Sequence, residues 1–285
     1  MSHKVERFVK LSSGYNIPSV ALGTWLLSGS EASNVVYNAL KKGYRHFDTA
    51  ILYDNEREVG EAIAKWLRED PVNNKREDVF YTSKLWTFNS YERTKKEINS
   101  ALSAIEHSIG YIDLLLLHHP NPGPQGRLDA WRALQEVVET GKVKSIGVSS
   151  WGKHHIDQLL SWDGLKIKPA INQIEIHPWC MRQELADYSR SKGIAVEAYA
   201  PLAHGGKIND PNVVKIAKTH GVTPGQVLIR WSLQKGNIPL PKTKNVDRLS
   251  SNLDVYNFEL SSEEIETISH PEAYEPTDWD VTTRP

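Results

Sequence analysis

The chain predicts an α/β fold of one particular kind, a (β/α)8 TIM barrel spanning residues 1–285 as a single domain, with an N-terminal β-hairpin (1–18) and a C-terminal tail (271–285) over the barrel mouth. Three observations lead there. Strand-like and helix-like segments alternate from end to end, with no low-complexity stretch or linker between them. The length of 285 residues is close to the ~250 typical of such barrels. Three apolar runs each finish on an ionisable residue: Tyr44-Arg45-His46-Phe47-Asp48, Val79-Phe80-Tyr81-Thr82-Ser83-Lys84 and Ile112-Asp113-Leu114-Leu115-Leu116-Leu117-His118. In a barrel of parallel strands, chemistry is built at that C-terminal edge. A doubly wound sheet would want a Gly-x-Gly-x-x-Gly turn after its first strand, where this chain has Gly23-Thr24-Trp25.

The elements follow in order. Phe8 to Pro18 reads as a hairpin turning at Ser13-Gly14. The first barrel strand is Ser19 to Gly23, with a helix over Glu31–Lys42 stopped by Gly43. Strand two ends at Asp48. Val59, Ile63, Trp66 and Leu67 then recur at helical spacing within a helix over Glu56–Arg68. Strand three ends at Lys84, and a helix runs from Tyr91 to Ile109, before Gly110. Strand four ends at His118, with a helix over Leu128–Glu139. Strand five is Val143 to Val148, with a helix at Lys153–Leu160. Strand six is Ala170 to Ile176, with a helix at Arg182–Lys192. Strand seven, Ala195 to Ala200, precedes two helices, one near Asn212–Thr219 and one entered at Thr223 with Pro224 in its first position. Strand eight is Ile238-Pro239-Leu240, followed by a helix over Val246–Leu253. Ser261 and Glu264 stand at capping-box spacing and open a last helix.

Composition limits what the protein touches. A net charge of −1 gives no general attraction for nucleic acid or an anionic membrane surface, so any anionic ligand needs a local basic cluster. Met1 to Arg7 has no apolar signal core, and no run approaches the ~18 apolar residues of a membrane span. A soluble, cytoplasmic protein with a small-molecule partner is the expectation. The one cysteine, Cys180, forms no intrachain disulfide and reads as a packing residue.

Asp48, Lys84 and His118 share one strand edge, and Tyr53 follows Asp48 in the loop leaving the same strand. Alone, an Asp–Lys pair is an ordinary salt bridge and a Tyr ordinary packing. Together the four types make a proton-donating site. A phenol, with its pKa of about 10, is a reluctant acid. A lysine ammonium at ~4 Å favours the phenolate by roughly 4 kcal/mol at an effective dielectric of ~20, and lowers that pKa. A carboxylate such as Asp48 keeps a buried lysine charged. His118 orients a substrate oxygen or shares its proton. A second cluster, Lys242-Thr243-Lys244-Asn245 with Arg248 and Asn252 four apart on the next helix, suits a phosphate at the end of strand eight. Tyr199 offers an aromatic face and Gln173 an amide. Trp25, Trp86, His119 and Trp151 follow strands one, three, four and five as an aromatic rim for a hydrophobic carbonyl compound, and Trp279 in the tail is a further substrate-contact candidate. The pairs His118-His119 and His154-His155, and His46 near Asp48, do not point to a metal. Strand neighbours face opposite ways, and His154-His155 fits an exposed helix start.

These motifs resemble the aldo-keto reductase family, and most of all its xylose-reductase-like and carbonyl-reductase-like branch in yeasts. Gly43-Tyr44-Arg45-His46-Phe47-Asp48-Thr49-Ala50 with Tyr53 and Asn55-Glu56, then Ser83-Lys84-Leu85-Trp86, then Asp113 to His118 with Pro120, resemble its signatures. So do Gly147-Val148-Ser149 and Pro241-Lys242-Thr243 with Arg248 and Asn252. The resemblance implies NADPH-dependent reduction of aldehydes and ketones by a monomer, without a metal. It implies Tyr53 as proton donor, helped by Lys84 and Asp48, with His118 orienting the carbonyl. Tyr199 would stack on the nicotinamide, and Gln173 and Ser149 would hold its carboxamide. Lys242, Thr243 and Arg248 would grip the 2′-phosphate and Asn252 the adenine. Thr24, Trp25, Asp48, Ser150 and Leu202 would complete the cofactor contacts. Ser150 stands where the family often has Asn, Ser251 where an acid is common, and His119 where an aromatic often follows the histidine. The loop from Pro120 to Arg127 is short, which implies a more open, more polar pocket.

Overall fold

The computed structural model describes residues 5–285, so Met1 to Lys4 of the expected N-terminal segment lie outside the described residues. A hairpin comes first. β1 (Phe8–Lys10) pairs antiparallel with β2 (Asn16–Pro18), and Gly14 takes a φ of 90° in the turn. Eight parallel strands follow: β3 (Leu22–Gly23), β4 (His46–Asp48), β5 (Phe80–Leu85), β6 (Ile112–Leu117), β7 (Val143–Ser149), β8 (Ile171–Glu175), β9 (Ala195–Tyr199) and β10 (Ile238–Pro239). They pair in chain order. The sheet closes on itself where the Ala21 N–H donates to the Pro239 carbonyl and the Gly23 N–H to that of Pro241, both at 3.1 Å. Gly23 is suited to this seam, since a Cβ there would lie 3.2 Å from the Leu240 carbonyl oxygen.

Among the described residues ten helices pack around and beyond the strands: α1 (Gly29–Lys41), α2 (Glu56–Glu69), α3 (Tyr91–Ile105), α4 (Gly123–Glu139), α5 (Lys153–Leu160), α6 (Gln183–Ser191), α7 (Pro211–His220), α8 (Pro224–Gln234), α9 (Asp247–Leu253) and α10 (Ser262–Ile268). Their starts carry the expected chemistry. Thr223 with Gln226, and Ser261 with Glu264, form complete capping boxes. Two helix boundaries differ by more than two residues from the sequence reading, and the first barrel strand begins at Leu22 rather than Ser19. α3 stops at Ile105 rather than Ile109, because the N–H groups of Ser108, Ile109 and Gly110 all turn onto the Ile105 carbonyl. α4 begins at Gly123 rather than Leu128. Pro124 in its first turn lacks an N–H that would be unpaired there in any case.

The hairpin closes the N-terminal end of the barrel. Leu11 and Ile17 pack with Phe80, Leu114, Leu116 and Ile238 in one buried cluster. Beside this plug, Arg76 gathers the starts of β5 and β6. Its guanidinium donates to the Ile109, Val79 and Tyr111 carbonyls and to the Asp113 carboxylate at 2.7 Å. Above the plug the interior is polar, with His46, Asp48, Thr82, Lys84, Ser145, Gln173 and Glu197 all buried.

The tail crosses the opposite, C-terminal end. The Thr277 and Asp278 N–H groups donate to the buried Glu175 carboxylate, and Arg182 reaches Asp280 and the Thr282 hydroxyl. Its last residues are seated on the outside of the barrel. The Arg284 carbonyl accepts from the Nε2 of both His154 and His155, and the Pro285 carbonyl accepts from Arg127. His155 is therefore buried under the tail, not exposed at a helix start as the sequence suggested. Gly152 permits this seat, since a Cβ there would fall 2.0 Å from the Thr282 carbonyl oxygen.

Gly147 opposes Leu116 across β6 and β7, and its added Cβ would sit 2.7 Å from the Ile171 carbonyl oxygen and 2.8 Å from Leu116 Cδ2. Gly147→Ala is expected to destabilise the fold by about 1–3 kcal/mol through overpacking. Chemical denaturation checks this, and an unchanged midpoint would show that the strands yield.

Candidate active site

The three strand-edge residues and Tyr53 meet. Lys84 Nζ donates to Asp48 Oδ1 at 2.6 Å, to the Thr49 carbonyl at 2.9 Å and to Tyr53 Oη at 3.3 Å. The ammonium has three hydrogens, and all three are used. β4 supplies Asp48, β5 supplies Lys84, and a short 3-10 turn at Ile51–Tyr53 presents the phenol. The His118 ring stands edge-on to Tyr53 with centroids 5.8 Å apart, and edge-on to Trp86 at 5.2 Å. Behind them, Asn55 donates to the Thr24 and Leu27 carbonyls, and Ser83 donates to the Glu56 carboxyl. These bonds hold the loops that carry Tyr53 and Trp25.

The electrostatics of the site follow from burial and neighbours. Burial favours a neutral Lys84 amine, but Asp48 and Tyr53 outweigh it and the ammonium is held above its ordinary pKa. The Tyr53 phenol is also raised. Burial is the larger influence, with Lys84 pulling the other way and Asp48 adding to the rise. This corrects the sequence expectation that Lys84 brings the phenol below its ordinary value: the lysine offsets only part of the desolvation. Tyr53 is therefore fully protonated at neutral pH. Burial, then the Lys84 charge, hold His118 well below the usual histidine range, so its imidazole is neutral. Its Nδ1 is buried without a hydrogen-bond partner among the described residues.

A cavity of about 1170 Å³ opens from this cluster toward α9. Near Tyr53 it is walled by Trp25, Leu52, Trp86, His118, Asp278 and Trp279. The middle is lined by Ser149, Ser150, Gln173, Tyr199 and Leu202. At the far end stand Lys242, Thr243, Lys244, Arg248 and Asn252. Lys244 is paired with Glu31 at 3.1 Å, whereas Lys242 and Arg248 have no ion pair among the described residues. Gln173 donates from one nitrogen to Asp48 at 2.9 Å and to Glu197 at 2.7 Å, so only its amide oxygen is left for a ligand. The Ser149 hydroxyl donates to the Gln173 backbone carbonyl. Ser150 lies at φ 57°, a left-handed conformation in which Asn is more at ease than Ser.

Three sequence candidates sit elsewhere. Thr24 is buried below the mouth, its hydroxyl donating to the Asp48 carbonyl. Trp151 does not form the rim. It is fully buried, with its ring near His155 and Arg127. His119 is buried behind the wall, bonded to the Trp86 carbonyl and touching the rings of Trp86, Phe88 and Trp279. The tail places Trp279 against Trp86 at 5.8 Å and brings Asp278 to the cavity. Leu26, Leu52, Asp278 and Glu197 were not anticipated. Glu197 had one signal, an acid two residues before Tyr199 and hence on the same face of its strand.

Comparison with known proteins agrees with this geometry. The pattern of the aldo/keto reductase family matches residues 19–270. An uncharacterised oxidoreductase of Saccharomyces cerevisiae is 58% identical over 282 residues, covering 99% of this chain and 100% of that one. The NAD(P)H-dependent D-xylose reductase I,II of Candida tropicalis is 36% identical, with 95% of each chain covered. The solved structure of the aldose reductase of Schistosoma japonicum superposes with a TM-score of 0.87 at 34% identity, covering 98% of this chain and 99% of that one. With its barrel closed and its strand-edge cluster assembled, the chain belongs to the aldo/keto reductase family.

Proposed function

We propose that this oxidoreductase reduces aldehydes and ketones to alcohols with NADPH, and that Tyr53 protonates the carbonyl oxygen. One observation carries the reading. The Lys84–Asp48–Tyr53–His118 cluster stands at one end of a cavity whose other end holds two cations, Lys242 and Arg248, without an ion pair among the described residues. The relatives named NADPH- or NAD(P)H-dependent xylose reductases point the same way.

The cavity suits a dinucleotide. Arg248 and Lys242 match an extra phosphate, Tyr199 offers a ring face and the Gln173 oxygen accepts from a carboxamide. When bound, the nicotinamide supplies a hydride to the carbonyl carbon. The neutral His118 imidazole donates to the substrate oxygen and aims it. The Tyr53 O–H bond breaks as its proton passes to that oxygen, giving the alcohol and leaving a phenolate. The Lys84 ammonium at 3.3 Å stabilises that phenolate by roughly 5 kcal/mol at an effective dielectric of ~20. Asp48 keeps the ammonium charged throughout. Trp25, Trp86 and Trp279 exclude water from an apolar substrate tail.

Tyr53→Phe is expected to bind NADPH normally while turnover of an aromatic aldehyde falls by ~10²–10⁴-fold. Fluorescence titration and loss of NADPH absorbance measure the two, and unchanged turnover would remove Tyr53 from the mechanism. Arg248→Ala is expected to weaken NADPH by roughly ten- to a hundredfold and NADH hardly at all, because a charge-assisted bond of about 1.5–3 kcal/mol is lost only with the phosphorylated cofactor. Equal loss for both would show that Arg248 does not choose between them.

A further inference from the structure

Glu197 is a carboxyl that the mechanism above does not use. It stands on β9, fully buried, in the barrel interior below Asp48. The ionisable and charged groups facing it are His46 and Asp48 from β4 and Lys84 from β5, and Gln173 joins them from β8. β10 brings only Ile238 to its level.

The bonds fix where the hydrogens sit. The Pro18 carbonyl can only accept, so His46 Nδ1, at 3.1 Å from it, carries the hydrogen. Burial pushes His46 down to about 3, so the ring is neutral and Nε2 is an acceptor, reached at 3.3 Å by the Thr82 hydroxyl. Glu197 Oε1 lies 3.4 Å from that acceptor and makes no hydrogen bond as a bare oxygen. Its partner Oε2 accepts from Gln173, whose other N–H goes to Asp48. A proton on Oε1 turns a contact of two lone pairs into donor facing acceptor. The polar groups from Pro18 to Tyr53 then have a consistent direction: His46 donates to Pro18, Thr82 and Glu197 both to His46 Nε2, Gln173 to Glu197 and Asp48, and Lys84 to Asp48 and Tyr53. The charge count agrees, since two carboxyls share one ammonium and that ammonium bonds Asp48.

We infer that Glu197 is a positioning residue held protonated. Its neutral carboxyl fixes the Gln173 amide against Asp48, and loss of its proton to solvent sets a second negative charge below Lys84 and makes Tyr53 a poorer acid. Burial, then the Asp48 charge, raise the Glu197 carboxyl to about 8, which puts that loss at mildly alkaline pH. The sign follows from linkage. Between the ordinary carboxyl value of about 4.3 and about 8, the unfolded chain has released this proton and the folded chain has not. The folded state's hold on the proton therefore contributes less and less stability as pH rises across that window.

Glu197→Gln tests this, because an amide oxygen can accept from Gln173 and its NH2 can donate to His46 with no proton to lose. The thermal midpoint of the variant is expected to gain on wild type steadily from about pH 5 to about pH 8 and then level off. A constant difference would overturn the inference. In NADPH-linked reduction of a neutral aldehyde, the ratio of kcat at about pH 9 to kcat at about pH 6.5 is expected to be at least about threefold higher in the variant. Superimposable profiles would overturn the link to Tyr53. Should the variant fail to fold, an infrared titration of the wild-type protein decides. The carbonyl stretch of a protonated carboxyl should persist above pH 7 in Glu56→Gln, which removes the carboxyl that burial raises to about 7, and its absence would overturn the inference. The kinetic arm rests on the carbonyl-reductase reading and the other two do not. A protein that reduces no carbonyl would sink that reading while the place of the proton is still decided.

Discussion

A buried ammonium governs the mouth of this barrel. Lys84 is completely enclosed, and a buried charge is tolerated only when it is paired and every hydrogen is bonded. The chain meets that demand from three directions: a carboxylate from the neighbouring strand, a backbone carbonyl one residue on, and the phenol of the loop that follows. Meeting it also fixes the chemistry. The group that satisfies the third hydrogen is the proposed proton donor, so on that reading structural requirement and proton donation fall on the same contact. Asp48 is bound in turn from below by Gln173, and Gln173 by Glu197, so the ammonium's demand extends down to the hairpin plug.

The cavity concentrates backbone strain. Leu26, Ser150, Ala200 and His204 all take positive φ values and all line it, although none is glycine. Such conformations cost of order 1–3 kcal/mol each and persist only where surrounding contacts hold them. Here they turn the chain sharply off the strand ends and leave the strand-edge side chains facing one another. The hairpin plug and the Arg76 clasp at the far end are by contrast conventional packing and pairing.

Much of this was legible in the sequence. An apolar run that stops on a charge has little reason to do so except at a strand edge facing a site, which is why Asp48, Lys84 and His118 stood out. What stayed hidden depended on three dimensions. Trp151 looked like a rim residue because a Trp after a strand reads the same whether it faces the mouth or the tail covers it. The direction of the Tyr53 shift depends on how far desolvation exceeds the pull of Lys84, and no spacing reports that balance. Glu197 drew no reading from the sequence, because nothing in the run Ala195 to Ala200 reports that its face points into a closed barrel. The start of α4 was masked by prolines and a glycine that usually mark a turn.

The tail separates two tasks along a short piece of chain. Residues 282–285 are the tether: they lie on a glycine and hang from an arginine and two imidazoles, mostly through main-chain oxygens that any sequence would provide. Residues 278 and 279 are what the tether displays: both line the cavity, and Trp279 sets its ring against Trp86. Because the fastening does not read the identity of what it displays, these two positions can change and redefine which molecules enter, while the Lys84 cluster and the barrel beneath it stay untouched.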